Sequence, residues 1–305
     1  MTSSVQSGSR SPVLLGILFM AASTVVFSLV NALIKEQMER YPVGEVVFIR
    51  SAFSLIPIYL FILPKTGLAV FRTKRLGGHA GRAVVQLGSM TAIFMALSLM
   101  PLADTIAITF TAPLFTTLLS MVLLKETVGV HRWAALFIGF LGVLFIAQPG
   151  ADTLSLGALF ALANAFLISL VAVAIRQMST TESTETLIVY QITLIAAFSA
   201  LLLPFGFILP TTLDFLLLGL AGVMNGVGQY FWTKSLHLAP ASVVVPYNYL
   251  TLLWAAGLGF LIWGDVPTVE LLIGAVIVVG SGLYILWRET LHRRKIVLAA
   301  PKPNA

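Results

Sequence analysis

An all-α membrane protein of ten transmembrane helices, built as two inverted five-helix repeats, is the fold class this sequence predicts. Three observations predict it: a composition too apolar for water, ten apolar runs of membrane-spanning length, and an internal duplication with an odd number of spans in each copy. The 305 residues are 58% hydrophobic and only 10% charged, with a mean hydropathy of +0.99. Soluble domains carry about 25% charged residues. A water-soluble chain of this length could not hide so much apolar surface, so its solvent is the lipid bilayer.

A spanning helix needs about 20 mostly apolar residues, within a range of about 17–25. That ruler gives spans at 12–34, 44–63, 82–100, 103–124, 131–147, 155–175, 186–203, 212–236, 240–263 and 269–287. The first run is longer than a signal-peptide core, so it is read as an uncleaved helix. Four segments follow: a Ser-rich disordered tail over 1–11, one five-helix repeat over 12–147, a second over 155–287, and a basic tail over 288–305. The longest loop expected is Pro64–Gly81.

Charge sets the orientation. The net charge is +6, yet no basic helix face with interleaved aromatics is present, so nucleic acid is not an expected partner. With both termini cytoplasmic, every Lys and Arg except Lys35, Arg40 and Arg50 falls on the cytoplasmic side. That bias predicts an inner (plasma) membrane protein of the bacterial type, with N-terminus and C-terminus inside. The absence of cysteine excludes disulfides, thiolate metal sites and Cys nucleophiles. His79, His131, His237 and His292 fall in or beside predicted cytoplasmic loops without ligand spacing, so neither a metal nor a cofactor is expected.

The duplication is read by aligning the first span with the sixth. At a shift of 141, Gly16, Leu18, Phe19, Ala22, Ser28 and Ile34 meet identical residues, and Lys35 meets Arg176. At a shift of 139, Leu99-Met100-Pro101 falls on Leu238-Ala239-Pro240, and Glu126 falls on Asp265. Apolar bias alone does not pair prolines and acids at one offset. Five spans per copy is an odd number, so the second copy enters the membrane the opposite way round. Secondary transporters use this arrangement, with substrate bound near the midplane between the copies.

The segments YPVGEVVFIR (41–50), LADTIAITFTAPLFTTLLSMVLLKE (102–126), RWAALFIGFLGVLFI (132–146) and APASVVVPYNYLTLLWAAGLGFLIWGD (239–265) resemble the EamA-type members of the drug/metabolite transporter superfamily. The resemblance covers roughly 16–287. It implies ten helices in two inverted repeats, a central substrate cavity and no ATP-driven step, and it leaves the substrate open between amino acids, drugs, vitamins and nucleoside-like metabolites.

Polar residues at membrane depth are the candidate site. A charge there costs at least about 2.5–3.5 kcal/mol on insertion scales, so each needs a reason. Arg50 is the one full charge read as clearly inside a span, either facing the cavity or strutting between helices, or else snorkelling or pairing with Glu45. Near the midplane lie Asn164, Asn225, Gln229 and Asn248, with Gln86 as a further candidate. Any one of these amides could equally be interhelical glue. Asn225 and Gln229, four apart, share a helix face, and Tyr247, Asn248 and Tyr249 follow Pro246. At the 139 offset Thr109-Phe110 lies opposite Asn248-Tyr249, a polar–aromatic pair in each of two related spans. Trp254 is deep enough to line the same space or to pack against a neighbour. An aromatic–amide lining suits a small, partly aromatic metabolite, vitamin-like or an amino acid.

The expected function is therefore secondary transport by alternating access, with no enzymatic activity. A membrane-embedded enzyme would need a nucleophile–base pair, a carboxylate dyad or a metal site at depth, and the sequence offers none. A non-transporting scaffold would be expected to carry long loops or soluble domains. A channel would show rings of like charge or a filter segment.

Overall fold

The computed structural model describes residues 11–123, 130–147, 155–239 and 244–299. Its α-helices are α1 (Ser11–Met38), α2 (Val43–Thr66), α3 (Leu76–Leu99), α4 (Leu102–Thr109), α5 (Ala112–Leu123), α6 (Val130–Ala147), α7 (Leu156–Met178), α8 (Thr184–Ser199), α9 (Thr212–Leu238), α10 (Leu250–Trp263) and α11 (Val269–Ala299). Short 3₁₀ turns at Gly67–Phe71, Ala200–Phe205 and Val245–Tyr249 extend α2 and α8 and lead into α10. Among the described residues, seven helical stretches are long and apolar enough to cross a membrane, and three shorter apolar helices lie at Trp133–Ile146, Tyr247–Trp263 and Val269–Tyr284.

The surface is apolar as well as the core, and polar groups are buried among the apolar ones. Leu60, Phe137, Leu216, Leu261 and Val276 are well exposed, whereas Glu45, Arg50, His79, Arg82, Ser89 and Asn164 are buried. In hydrocarbon every backbone polar group must be satisfied internally, which a helix does within one segment, and outward-facing apolar side chains cost nothing. Lipid supplies no hydrophobic drive between helices, so close packing and interhelical hydrogen bonds hold them together. At Gly222 of α9 a Cβ atom would strike the Arg50 carbonyl and lie 2.6 Å from Phe53 Cβ, so only glycine lets α2 approach this closely. Gly142 of α6 works alike against Ile277 and Gly274 of α11. At Gly257 of α10, by contrast, a Cβ atom would meet nothing within 4 Å.

The helix partnerships form a pattern. α1 packs along α9 and α3 along α7; α2 touches both α8 and α9, and α8 also touches α3. α6 pairs with α11, α1 also meets α10, and α7 also meets α4 and α5, with α4 and α10 in contact across the centre. One end of the α1–α9 pair is fixed by Asp214, which accepts from the Tyr41 hydroxyl at 2.7 Å and the Thr211 hydroxyl at 2.8 Å. Lys35 Nζ donates to the carbonyls of Leu97 and Met100 at 2.9 and 2.8 Å, satisfying orphan acceptors at the end of α3.

Three expectations change. The span read as 103–124 is two helices, broken at Phe110–Thr111. Pro113 has no N–H for the Thr109 carbonyl, and the chain turns through tight bonds from Phe110 N to Ala107 O and Thr111 N to Ile108 O. The region read as the loop Pro64–Gly81 is mostly helical, because α2 runs to Thr66 and α3 starts at Leu76. His79 and Arg82, read as lying in or at the edge of a cytoplasmic loop, are therefore buried inside α3. Their polarity lowered the local hydropathy, although they face α8 rather than lipid. Glu126 and Pro240 of the duplication lie outside the described residues, as do residues 1–10 of the N-terminal tail and 300–305 of the C-terminal one.

Candidate functional site

The polar interior begins at the α2–α9 crossing. Arg50 is 8% exposed, and its Nη1 donates to Asn225 Oδ1 at 2.9 Å. Its Nη2 lies 3.4 Å from Met90 Sδ, and the guanidinium sits over the Phe94 ring at 5.4 Å. Asn225 donates in turn to Ser54 Oγ at 3.3 Å, and Ser54 donates to the carbonyls of Arg50 and Gly222, each at 2.9 Å. Of the alternatives for Arg50, pairing with Glu45 does not occur. Glu45 turns instead to accept from the Ile208 N–H at 2.9 Å, because the close approach of α9 supplies Arg50 with a nearer acceptor. Among the described residues no carboxylate reaches Arg50, and its Nε has no partner. A cation so placed is held by an amide, an aromatic face and a thioether, with its Nε–H buried and unpartnered.

A second polar station joins α3 to α8. Arg82 Nη1 donates to Gln191 Oε1 at 2.7 Å and its Nη2 bonds the Leu187 carbonyl at 2.5 Å. Gln191 donates on to Gln86 Oε1 at 3.1 Å. Gln86 was legible as a candidate; Arg82 and Gln191 were not, the first because it was assigned to a loop edge. Arg50 is not the one buried charge, since Arg82 and Glu45, nearer the starts of their helices, are buried as well.

Aromatic rings occupy the centre between α4 and α10. Phe110 and Tyr249 lie 4.8 Å apart at 45°, the pair that the 139 offset set opposite one another. Phe110 packs against the core formed by Phe94, Leu97 and Ile106 and against the one formed by Ala96, Ala161 and Val278. Thr109 spends its hydroxyl on the Ile106 carbonyl at 2.7 Å, easing the helix break. Trp254 donates from Nε1 to Thr24 Oγ1 at 3.1 Å, joining α10 to α1. Asn248 is half-buried beside Tyr249, and Tyr247 is exposed.

The remaining candidates separate. Asn164 donates to the Ser89 carbonyl at 2.8 Å and to Ser89 Oγ at 2.9 Å, bonding α7 to α3. Gln229 does share the α2-facing side of α9 with Asn225, but one turn further on it lines a cavity of about 140 Å³. Phe61, Lys65, Thr66, Glu185 and Tyr230 also line this space, between the ends of α2, α8 and α9. The Tyr230 ring stands 4.7 Å from Phe61 and 5.8 Å from Lys65 Nζ. Among the described residues no three His, Asp or Glu side chains converge as a metal site.

A helical bundle with an apolar exterior and buried amide, guanidinium and aromatic groups defines a multi-pass membrane protein. The chain belongs to the EamA-like transporter family, whose model matches residues 14–148 and again 155–287. It is a transporter of small molecules, not an enzyme. It is 31% identical to a riboflavin transporter of Rhizobium johnstonii over 93% of this chain and 95% of the relative. It is 30% identical to the pseudopaline exporter CntI of Pseudomonas aeruginosa over 87% and 93% of the two chains. A Rickettsia bellii S-adenosylmethionine uptake transporter is 26% identical over 87% of this chain and 92% of its own. A solved crystal structure superposes with a TM-score of 0.62 over 95% of this chain and 99% of its own, at 20% identity, so the two share a fold.

Proposed function

We propose that this chain moves a small, partly aromatic metabolite across the inner membrane by alternating access, with ten spans in two inverted repeats and both termini cytoplasmic. The repeats run over 12–147 and 155–287, pairing α1 with α7, α2 with α8, α3 with α9, α4–α5 with α10, and α6 with α11. One observation carries the reading: exchanging these partners maps the most extensive helix contacts onto one another, although the smaller α1–α3 and α2–α3 contacts have no comparable counterpart. The α1–α9 contact becomes α7–α3, α2–α9 becomes α8–α3, and α2–α8, α6–α11 and α4–α10 map onto themselves. A pseudo-two-fold axis in the membrane plane has this effect.

The polar stations obey the same exchange. Gln191 follows Arg50 by 141 residues and Asn225 follows Gln86 by 139, so Arg50–Asn225 and Gln191–Gln86 are equivalent crossings. Two halves related in this way have two nearly equivalent packings, one open to each side. In this reading Phe110, Tyr249 and Trp254 bracket a planar group of the substrate, with Asn248 and Thr109 beside them. Arg50, Asn225, Gln86, Asn164 and Gln229 present donors and acceptors along the path, and Tyr247 guards its edge. The unpartnered Nε–H of Arg50 favours a substrate with carbonyl or carboxylate oxygens. Riboflavin, pseudopaline and S-adenosylmethionine, named for the relatives, all combine such oxygens with ring or amine groups.

The deciding experiment compares uptake and efflux of a metabolite panel containing these three compounds in cells with and without the protein. Transport of at least one panel member, lost in Asn225→Leu or Asn248→Leu protein that still reaches the membrane, is expected. Unaltered flux in both variants removes the site assignment.

A further inference from the structure

One ionisable cluster has no part in the path above. His79, in the first turn of α3, is 0% exposed. Its ring stacks on Tyr190 of α8, with centroids 4.5 Å apart and planes at 26°. Neither ring nitrogen has a hydrogen-bond partner. Facing Nε2 at 3.8 Å is Oε2 of Glu182, a side chain only 6% exposed, in the turn between α7 and α8. The other Glu182 oxygen accepts from the Thr73 hydroxyl at 2.8 Å. The charged and titratable groups around the imidazole are thus Glu182 from that turn, Tyr190 from α8 and Arg82 from its own helix. Arg82 is already engaged by Gln191 and Leu187, so it leaves Glu182 to His79.

The spacing carries the argument. A separation of 3.8 Å exceeds hydrogen-bond reach, and a buried donor or acceptor without a partner is costly. Protonation of the ring puts a full positive charge opposite the Glu182 carboxylate and a donor on Nε2, and the 3.8 Å gap then closes to a charge-assisted bond while Nδ1 stays without a partner. Water does not compete at a fully buried ring. We propose that His79 and Glu182 form a proton-binding site, and that its occupancy draws the α7–α8 turn onto α3 and closes this end of the bundle. Because α3 and the α7–α8 turn belong to different repeats, closure there bears on which side is open, and that consequence rests on the alternating-access reading.

The protein has no cysteine, so a labelled pair can be introduced cleanly. Lys74→Cys and Thr180→Cys are both exposed, on either side of the contact. Spin-label distances between them are measured in lipid nanodiscs from about pH 5 to 8, the range in which imidazole changes charge. With His79 present, the ratio of short to long distances rises about tenfold as pH falls, the effect of one hydrogen bond to a charged group. In His79→Gln, and separately in Glu182→Gln, the distribution ignores pH. A pH response retained in both variants, or absent with the native pair, overturns the proposal. Gel-filtration profiles of the variants matching the parent exclude misfolding. If the distances respond while no panel compound is transported, the function reading fails and the proton site stands. Intact transport with distances blind to pH sinks the proton site alone.

Discussion

Arg50 and Asn225 meet at 2.9 Å across the α2–α9 crossing, so a guanidinium buried in the bundle is answered by a neutral amide instead of a carboxylate. That choice keeps the charge unneutralised. Replacing the amide separates its two roles. Asn225→Leu leaves the guanidinium without its acceptor and Ser54 without its donor, a loss of about 1–3 kcal/mol. Thermal unfolding in detergent is expected to occur at a lower temperature, with the initial transport rate reduced at least about tenfold if transition between states needs the crossing intact. Asn225→Asp supplies a carboxylate, so stability is expected to hold while transport of a carboxylate-bearing probe falls, because the protein now neutralises its own cation. Equal transport by Asn225→Asp and the parent protein removes Arg50 from substrate recognition.

A second expectation contrasts two glycines. At Gly222 even a methyl group collides with the Arg50 backbone and Phe53, so Gly222→Ala is expected to lower stability by about 1–3 kcal/mol through overpacking. At Gly257 nothing lies within 4 Å, and alanine gains helix propensity there, so Gly257→Ala is expected to be neutral or stabilising by up to about 1 kcal/mol. Unfolding midpoints of the two variants decide the matter. Similar midpoints mean that α2 and α9 do not pack as described.

The helices and the Phe110–Tyr249 pairing were legible because both are properties of a pattern. Apolar run length reports spans, and the repeat offset reports equivalent positions. Misreadings arose where polarity faces inward. Hydropathy cannot distinguish a polar residue in a loop from one buried against a neighbouring helix, so His79 and Arg82 were placed outside α3. The partner of Arg50 was equally hidden. Glu45 is five residues away in sequence, whereas Asn225 arrives only through the tertiary approach that Gly222 permits. A proline such as Pro113 signals a bend in a span, but a helix interrupted at Phe110–Thr111 depends on the local hydrogen bonds of Thr109 and Thr111.

The aromatic pair gives a third expectation. Phe110 and Tyr249 are near enough for a tilted ring contact, and such pairs contribute about 0.5–1.5 kcal/mol beyond area burial. If substrate rings insert at this place, Phe110→Leu keeps the volume and loses the stacking. The KM for an aromatic compound that the panel identifies as a substrate is then expected to rise about two- to tenfold with little change in maximal rate. Tyr249→Phe preserves the ring and is expected to leave KM near the parental value. A KM raised by Tyr249→Phe and untouched by Phe110→Leu points to hydrogen bonding instead of stacking.

Orientation is the last expectation, and it follows from charge and parity together. The α2–α3 connection carries Arg72, Lys74 and Arg75, and the basic excess of short loops is retained on the cytoplasmic side. The α10–α11 connection carries Asp265 and no Lys or Arg. From the α2–α3 connection, α3, the α4–α5 pair, α6, α7, α8, α9 and α10 intervene before it, seven crossings if the broken helix counts as one, so the two connections face opposite sides. Single cysteines at Arg72 or Lys74 are therefore expected to react with a membrane-impermeant maleimide only after the cells are opened. Cysteines at Gly264 or Thr268, both exposed, are expected to react in intact cells. The reverse pattern inverts the protein but keeps the repeats. Labelling of both connections from one side is the graver result: it makes the number of intervening crossings even, and two copies that enter the bilayer in the same direction cannot share a two-fold axis lying in its plane.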